Sequence, residues 1–268
     1  MRCRVVVGAE GRRSVTREQA GIRLHTAPPT HLITGLLVDD VPEWPQDTSM
    51  SGTQGDVMFL AFPQGGARLR VYRCTAVDQS HRFTGRDGTR RFLDEFRRVS
   101  CLPWAAAVAV SRPIGPCATF PGEDTWTDSP MAPGVVLVRD AAGYNDPIFG
   151  QGLAIALRDA RMVADLLVGQ PERWDACGLA PYALERRERL RRLRFTASLI
   201  AALQAEFTPA AGERRARFYQ RVRAGTDPDL RLALAGHRGT GDSAAGSVHA
   251  GDAQKHRWCA SPFIMISG

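Results

Sequence analysis

Residues Gly134–Leu167 constrain the fold of this chain more than any other segment. They read GVVLVRDAAGYNDPIFGQGLAIALRDARMVADLL, a compact apolar run followed by an acidic residue, a turn and a strongly periodic segment. The run Gly134–Val138 predicts a buried strand, and the apolar repeats of Gly152–Val168 predict a helix. This order of elements predicts an α/β unit whose ligand lies beyond the carboxyl end of the strand.

The junction between the predicted strand and helix carries the residues suited to a ligand. Asp140 stands at the end of the strand, and Gly150-Gln151-Gly152 open the helix. A carboxylate there can accept hydrogen bonds from a sugar hydroxyl. Glycines at a helix N-terminus let backbone N–H groups approach a negatively charged ligand. The alternative, that these residues only form turns and caps, does not account for their occurrence together.

The segment resembles the second FAD-binding motif of flavoprotein monooxygenases, which reads GDAA, then a proline, then GQG and a helix ending in RDA. The matching positions are Asp140, Ala141, Ala142, Pro147, Gly150, Gln151, Gly152, Arg158, Asp159 and Ala160. The resemblance implies that Asp140 holds the ribityl chain of FAD and that Pro147 lies near the flavin ring. It implies further cofactor contacts at Ala141 and along the backbone of Gly150, Gln151, Gly152 and Leu153.

A second motif lies near the start of the chain. The sequence VGAEGRRS at Val7–Ser14, followed by Arg17, resembles the GADG-x-x-S-x-x-R motif of the same family. The resemblance implies that Gly8, Glu10 and Arg17 serve FAD and the pyridine nucleotide. The two motifs stand in the family's order. The chain therefore resembles FAD-dependent monooxygenases of the para-hydroxybenzoate hydroxylase type over about residues 4–235.

This resemblance implies a mixed α/β fold, namely an incomplete Rossmann-like FAD-binding domain of three layers with an inserted β-sheet domain. We expect residues 1–24 to be a remnant of the FAD-binding domain and residues 25–118 to be the substrate domain. Residues 119–235 would hold the remaining FAD-binding part and the C-terminal helices. The Gly-, Ser- and Ala-rich residues 236–268 predict a disordered tail.

The chain departs from the family pattern in three places. It has no G-x-G-x-x-G between a strand and a helix, the loop with which the family holds the FAD pyrophosphate. Arg139 occupies the usual glycine position before the acidic residue, where we expect its side chain to clash with the cofactor. Glu10 replaces the usual aspartate. These departures predict a chain truncated at its N-terminus, a decayed gene, or one piece of an assembly completed by a partner chain.

The remaining segments predict further elements. Strands are predicted at His31–Asp39, Asp56–Phe62 and Ala67–Cys74, the last two forming a hairpin. Loops are predicted at Val41–Gly55 and Pro113–Pro133. Helices are predicted at Thr89–Val99, Pro181–Phe207 and Glu213–Ala224, and Ser14 is a predicted helix cap. The arginines of Pro181–Phe207 are expected to form a solvated basic face.

Composition argues against nucleic-acid, membrane and metal partners and favours the cytoplasm. The net charge of +7 rests on arginine, because Lys255 is the only lysine. Aromatic residues do not interleave with the arginines as nucleic-acid binding requires, and apolar runs such as Ala105–Val110 are too short to cross a membrane. The six cysteines form no CxxC, so we expect reduced thiols in the cytoplasm. His249, His256 and Cys259 are a chance grouping, and no metal site is expected.

The predicted function is that of an FAD-dependent, NAD(P)H-using monooxygenase acting with O2 on an organic, aromatic substrate, by hydroxylation or epoxidation. No general acid or base is assigned, and Tyr72 and His81 of the pocket wall are expected to be structural. A non-catalytic truncated homologue or a piece of an assembly is the first alternative. A flavin-dependent reductase or halogenase on the same fold is the second.

Overall fold

The computed structural model describes residues 3–224 and the backbone of residues 263–267. The predicted disordered tail lies, apart from those last residues, outside the described part of the chain. The strands are β1 (Val6–Gly8), β2 (His25–Thr26), β3 (His31–Asp39), β4 (Thr48–Gln54), β5 (Val57–Pro63), β6 (Leu69–Thr75), β7 (Arg112–Pro113), β8 (Ala118–Gly122), β9 (Thr125–Trp126), β10 (Met131–Ala132), β11 (Val135–Leu137) and β12 (Phe263–Ser267). The helices are α1 (Val15–Gln19), α2 (Gly88–Asp94), α3 (Ala105–Val110), α4 (Gly152–Gly169), α5 (Ala176–Gln204) and α6 (Pro209–Ala224).

The described part of the chain folds into two compact units. The first comprises residues 3–31 and 121–202, and the second comprises residues 32–120, 203–224 and 263–267. The mixed α/β fold class is confirmed. The division at residues 24, 118 and 235 stays a prediction.

The first unit is built on a three-stranded sheet in the order β1-β11-β10. β1 runs parallel to β11, and β10 runs antiparallel to it. The strand predicted at Gly134–Val138 is confirmed as β11. Its Val136 and Leu137 side chains are fully buried, which stabilises the strand. Val136 packs with Val163 of α4 and with Tyr182 of α5, whose hydroxyl donates to Leu137 O at 2.7 Å. Both predicted helices therefore pack on one buried strand.

The second unit is built on an antiparallel sheet in the order β12-β4-β5-β6-β3-β7, with β8 also paired to β3. The strand at His31–Asp39 and the hairpin of β5 and β6 are confirmed. The loop predicted at Val41–Gly55 was wrong in its second half, because Thr48–Gln54 forms β4 between β5 and β12. Serine and glycine lower its β propensity, but pairing on both sides overrides that preference.

Two other predictions need correction. The segment Pro113–Pro133 is not all loop, since it contributes β8, β9 and β10. The long basic helix starts at Ala176 rather than at Pro181, and that proline lies inside it. Proline is common in the first turn of a helix, which favoured the later start. The true start is stabilised by Asp175, whose Oδ1 accepts from Gly178 N at 2.8 Å.

The second unit has the larger hydrophobic core. One face of its sheet packs against α2 and α3 through buried aromatic residues, and Phe92 is fully buried among them. The Phe92 ring makes edge contacts with Phe83 and Phe96 at centroid distances of 5.3 and 5.7 Å. The predicted helical spacing of Thr89–Val99 is confirmed as α2 and a following 3-10 turn.

Membrane-spanning helices and metal-binding clusters are both absent from the described residues. No helix there combines the length and apolarity that a membrane span requires. No group of three or more His, Cys, Asp or Glu side chains in that part of the chain is placed to hold a metal ion.

The buried phenylalanine gives a test of the core. Phe92→Ala is expected to lower the free energy of unfolding by about 3–5 kcal/mol, because the truncated ring leaves a cavity. Urea denaturation of the full chain measures the loss. Phe195→Ala is the matched control, since that ring is 63% exposed and its removal opens no cavity. Equal losses in the two variants would contradict the assignment of Phe92 to the core.

Candidate functional site

Asp140 lies just beyond β11, in a 3-10 turn that spans Arg139–Ala142. Its side chain is 29% exposed, and its Oδ2 lies 3.8 Å from Arg12 Nε. The Arg12 guanidinium also sits over the Tyr144 ring, 4.0 Å from the centroid. Among the described residues this ion pair is the only polar contact of the Asp140 carboxylate. The carboxylate therefore keeps lone pairs that can accept hydrogen bonds from a ligand.

Arg139, at the position where the family has glycine, adopts a left-handed backbone conformation. Its φ is +57°, a region that costs a side-chain-bearing residue about 1–2 kcal/mol. The backbone is held on both sides, because Arg139 N donates to Asp159 Oδ2 at 2.8 Å and Arg139 O accepts from Arg186 Nη2 at 3.0 Å. The side chain itself is exposed. The surroundings thus impose a glycine-like backbone on an arginine.

A buried ion pair between α4 and α5 supports this turn. Asp159 is fully buried, and its Oδ2 accepts from Arg186 Nε at 2.8 Å. Its Oδ1 accepts from Arg189 Nη2 at 2.6 Å. The remaining Arg186 donors reach Ala142 O at 3.0 Å and Gly143 O at 3.1 Å. Because every buried charge has partners, the pair escapes the penalty of an unpaired buried ion.

Sequence reasoning missed Arg186. The arginines of this helix were expected to form a solvated face, but Arg186 is 3% exposed and Arg189 is partly buried. Within the basic run of α5, nothing in the sequence distinguishes Arg186 as a buried arginine from its exposed neighbours. The available signal was Asp159, an acidic residue on the otherwise apolar face of α4, which required a buried cationic partner.

The early motif packs against the later one. Arg17 is buried, and its Nη1 donates to Arg12 O and to Ala141 O, each at 3.1 Å. Gly8 lies in β1 opposite Leu137, where an added Cβ would come within 2.7 Å of the leucine side chain. The structure thus brings both motifs together through a buried arginine and a close strand contact.

Glu10 faces helix α1. Its Oε1 accepts from Ser14 Oγ at 2.8 Å and from Thr16 N at 2.7 Å. Burial alone would raise the pKa of Glu10, but the hydrogen bonds from Thr16 and Ser14 outweigh it and lower the pKa to about 2. Ser14 Oγ in turn accepts from Arg17 N at 3.0 Å, which confirms the predicted cap. The longer glutamate side chain therefore stabilises the start of the helix.

The predicted flavin-contacting segment forms a turn that leads into α4. Gly150 has φ +67°, and an added Cβ at Gly150 or Gly152 would meet nothing within 4 Å. The first backbone N–H groups of any helix lack intrahelical partners. In α4 no side chain caps them either. Pro147 and Leu153 are exposed on either side, Leu153 by 73%. Open space, free donors and the positive end of the helix dipole suit a planar, electron-rich ligand edge.

A buried histidine and aspartate lie beside this turn. His31 is fully buried, and its Nε2 lies 3.6 Å from Asp146 Oδ1. Asp146 Oδ1 also accepts from Ile148 N at 3.0 Å, and Asp146 N donates to Asp124 Oδ1 at 2.8 Å. Burial lowers the pKa of His31 to about 4 and raises the pKa of Asp146 to about 6. At neutral pH an uncharged imidazole therefore faces a carboxylate next to Pro147.

The loop after Asp140, at Gly143 and Tyr144, passes close to β9. Gly143 has φ +106°, and an added Cβ would lie 2.6 Å from Thr125 O and 2.7 Å from Trp126 Cα. Thr125 N donates to Tyr144 O at 2.7 Å, and Tyr144 N donates to Thr125 Oγ1 at 2.9 Å. Only a residue without a side chain fits this approach.

Comparison with known proteins identifies relatives of this arrangement. A family model described as an FAD binding domain matches residues 1–196. A ubiquinone hydroxylase (UbiL) of Rhodospirillum rubrum is 29% identical over 237 residues, which are 80% of this chain and 50% of the relative. The chain thus spans half the length of that protein.

Solved structures share the fold. PqsL, a probable FAD-dependent monooxygenase from Pseudomonas aeruginosa, matches with a TM-score of 0.64 and 22% identity, over 76% of this chain and 57% of that one. HpxO from Klebsiella pneumoniae, complexed with FAD and uric acid, matches with a TM-score of 0.67 and 19% identity. That match covers 85% of this chain and 60% of HpxO.

The Asp159–Arg186 pair gives the first test of the site. Arg186→Met is expected to cost about 3–5 kcal/mol of unfolding free energy, because it leaves Asp159 and three backbone carbonyls short of buried partners. Guanidinium denaturation measures the loss. Arg192→Met on the exposed side of α5 is the control and is expected to change stability little. A neutral Arg186 variant would contradict the supporting role of the pair.

The buried His31 and Asp146 give a pH test. The folded pKa of Asp146 lies above its unfolded value, so its contribution to stability is present at low pH and is lost as pH rises through about 6. The folded pKa of His31 lies below its unfolded value, so its effect runs the other way and stability falls as pH drops from 6.5 towards about 4. The two contributions oppose each other between pH 4 and 6.

Asp146→Asn removes one of these contributions. The stability of the variant is expected to rise with pH more steeply than that of the unchanged chain, by roughly 2–3 kcal/mol in total from pH 4 to 6.5. Denaturant unfolding at several pH values measures this difference. Asp165→Asn, at an exposed position of α4, should leave the pH profile unchanged. Parallel profiles for Asp146→Asn and the unchanged chain would show that Asp146 titrates normally.

Proposed function

The chain belongs to the FAD binding domain family, and from this membership we propose that it is the flavin- and substrate-binding part of an FAD-dependent monooxygenase that uses NAD(P)H and O2. The motif resemblance to the para-hydroxybenzoate hydroxylase type is confirmed by the family match. The observation that carries the proposal is the joint position of an accessible Asp140 carboxylate and the uncapped, glycine-opened N-terminus of α4 on one unit.

The residues present fit FAD at this place. The Asp140 carboxylate would accept hydrogen bonds from the hydroxyl groups of the ribityl chain. The backbone N–H groups at Gly152 and Leu153 would donate to the pyrimidine edge of the flavin, and the helix dipole would stabilise negative charge there. Bound FAD supplies the redox chemistry, namely acceptance of a hydride from NAD(P)H and activation of O2 for transfer of one oxygen atom.

The other predicted cofactor residues shape this site in the proposal. Ala141, Pro147, Gly150 and Gln151 belong to the segment that borders the flavin. Gly8, Glu10 and Arg17 are proposed to serve FAD and the pyridine nucleotide, as the motif implies. Their contacts also fix the position of Asp140, because Arg17 bonds the carbonyl of the next residue, Ala141.

We assign the substrate to the β-sheet-rich part of the chain, residues 25–118, and expect an organic ring compound that is hydroxylated or epoxidised. Ubiquinone in the name of one relative and uric acid in the complex of another support a ring compound. The open edge of β1 supports completion of the sheet by a further segment or partner chain. β1 pairs only with β11 among the described strands, and Val6 and Val7 are 41% and 44% exposed.

The proposal is tested by titrating the full chain with FAD and following flavin fluorescence. Asp140→Ala is expected to weaken binding about 10- to 100-fold, since it removes charge-assisted hydrogen bonds. Arg139→Gly is expected to tighten binding, because it relieves the left-handed arginine and clears the approach to the cofactor. Asp165→Ala on α4 is the control for general loss of negative charge.

Activity is tested separately by NAD(P)H oxidation with incorporation of labelled oxygen from O2 into a quinone or purine substrate. Flavin binding with oxygen incorporation supports the monooxygenase. Flavin binding with NAD(P)H oxidation but no oxygenated product would favour a reductase. A folded chain that binds no FAD would reject independent activity and favour a non-catalytic homologue or one piece of an assembly.

A further inference from the structure

A small cleft lies in the first unit between α5 and the segment that starts at β9. Its volume is about 210 Å³. It is lined by Trp126, Thr127, Asp128, Pro130, Arg186, Arg187, Leu190, Arg191 and Arg194. Pockets for drug-sized ligands hold roughly 300–1,000 Å³. The cleft therefore suits a ligand of one ring or one phosphoryl group and is too small for a dinucleotide.

The arginines of the cleft differ in whether their guanidinium groups are paired with carboxylates. Arg186 is committed to Asp159 and to backbone carbonyls, and Arg191 is paired with Glu188 at 2.8 Å. Arg187 forms no ion pair or hydrogen bond with any residue that the structure describes. Arg194 likewise has no such partner there and makes only a ring contact. Two guanidinium groups thus line the same cleft without a bonded carboxylate.

The Arg194 guanidinium is the more informative of the two because it is partly withdrawn from water. It lies 4.8 Å from the centroid of the Trp126 ring. Burial lowers the pKa of Arg194, an effect that the Asp124 carboxylate opposes without reversing it. A half-buried cation whose charge is not fully compensated is stabilised by an incoming anion.

The acidic member of the lining does not supply that compensation. Asp128 Oδ2 accepts from His25 Nε2 at 2.8 Å, and the His25 ring stacks on Trp126 with centroids 5.4 Å apart. Asp128 is thereby bonded to the histidine rather than to either arginine. Trp126 is in turn fixed by contacts with both His25 and Arg194.

The helix presents these side chains together. Arg187, Leu190 and Arg194 are spaced by three and four residues, which places them on one face of α5. Leu190 is 1% exposed and forms an apolar floor between the two cations. Arg192 lies off this face and pairs with Glu188 at 2.7 Å. The cleft therefore combines two cations with an apolar floor and an aromatic wall, which a uniformly solvated basic face would not.

We propose that this cleft is a binding site for a small oxyanion, the carboxylate or phosphate group of a ligand of about one ring, held by Arg187 and Arg194 against Trp126 and Leu190. The guanidinium groups donate to the oxyanion oxygens, and Leu190 and Pro130 contact the apolar part of the ligand. The site does not depend on FAD, so its failure and the failure of the monooxygenase proposal are separate results.

The site is tested by calorimetric titration of the full chain with benzoate and, separately, with inorganic phosphate, at low ionic strength and in a buffer free of both groups. We expect saturable binding of at least one of the two probes at one site per chain. Arg187→Gln and Arg194→Gln are each expected to weaken it at least about tenfold, because each removes a hydrogen bond to a charged group. Trp126→Phe should abolish the accompanying change in tryptophan fluorescence.

Arg192→Gln is the matched control, since it removes the same charge from the same helix outside the cleft. It should leave affinity within about twofold, because a single exposed charge contributes little. Binding of benzoate alone identifies a carboxylate ligand, and binding of phosphate alone identifies a phosphoryl group. Dissociation constants above about 10 mM for both probes, or equal weakening by Arg192→Gln, would overturn the proposal.

Discussion

The buried pair of Asp159 and Arg186 is the interaction on which the candidate site depends. Asp159 is the only charge that the apolar face of α4 carries inward, and Arg186 reaches it from α5. Once paired, Arg186 turns its other donors to the carbonyls of Arg139, Ala142 and Gly143. A helix-to-helix contact thereby fixes the turn that carries Asp140. Without it, the carbonyls of Arg139, Ala142 and Gly143 would lose their Arg186 donors, and Arg17 would remain to hold the turn at Ala141.

The polar side chains of the early motif, Glu10 and Arg17, are likewise largely bonded within the protein. Arg17 binds the carbonyl of Ala141, and Glu10 binds the start of α1. In the proposed FAD site, the atoms left for the cofactor are mainly those of Asp140 and of the backbone at Gly152 and Leu153. Specific recognition by such a site rests on preorganised backbone donors, which need no rearrangement when a ligand arrives. The Arg17 side chain holds the turn next to Asp140 in position through the carbonyl of Ala141.

Sequence alone predicted the elements whose pattern is local. The buried strand β11, the amphipathic helix α4 and the β5–β6 hairpin follow from periodicity and turn residues. Strand β4 could not be predicted, because its serines and glycine form a strand only between two partners. Burial of Arg186 could not be predicted either, since it depends on Asp159 lying across the packing interface 27 residues away. The cleft at Trp126 required the distances between β9 and α5, which no sequence spacing encodes.

The close approach of Gly143 to β9 links the turn after Asp140 to the tryptophan of the cleft. A side chain at position 143 would collide with the backbone of Thr125 and Trp126. Descendants of this protein can therefore gain a side chain at 143 only if β9 first moves away, which would displace Trp126 as well. Substitutions at Gly143 and in β9 are therefore expected to be coupled, because a side chain at position 143 requires a compensating shift of the β9 backbone.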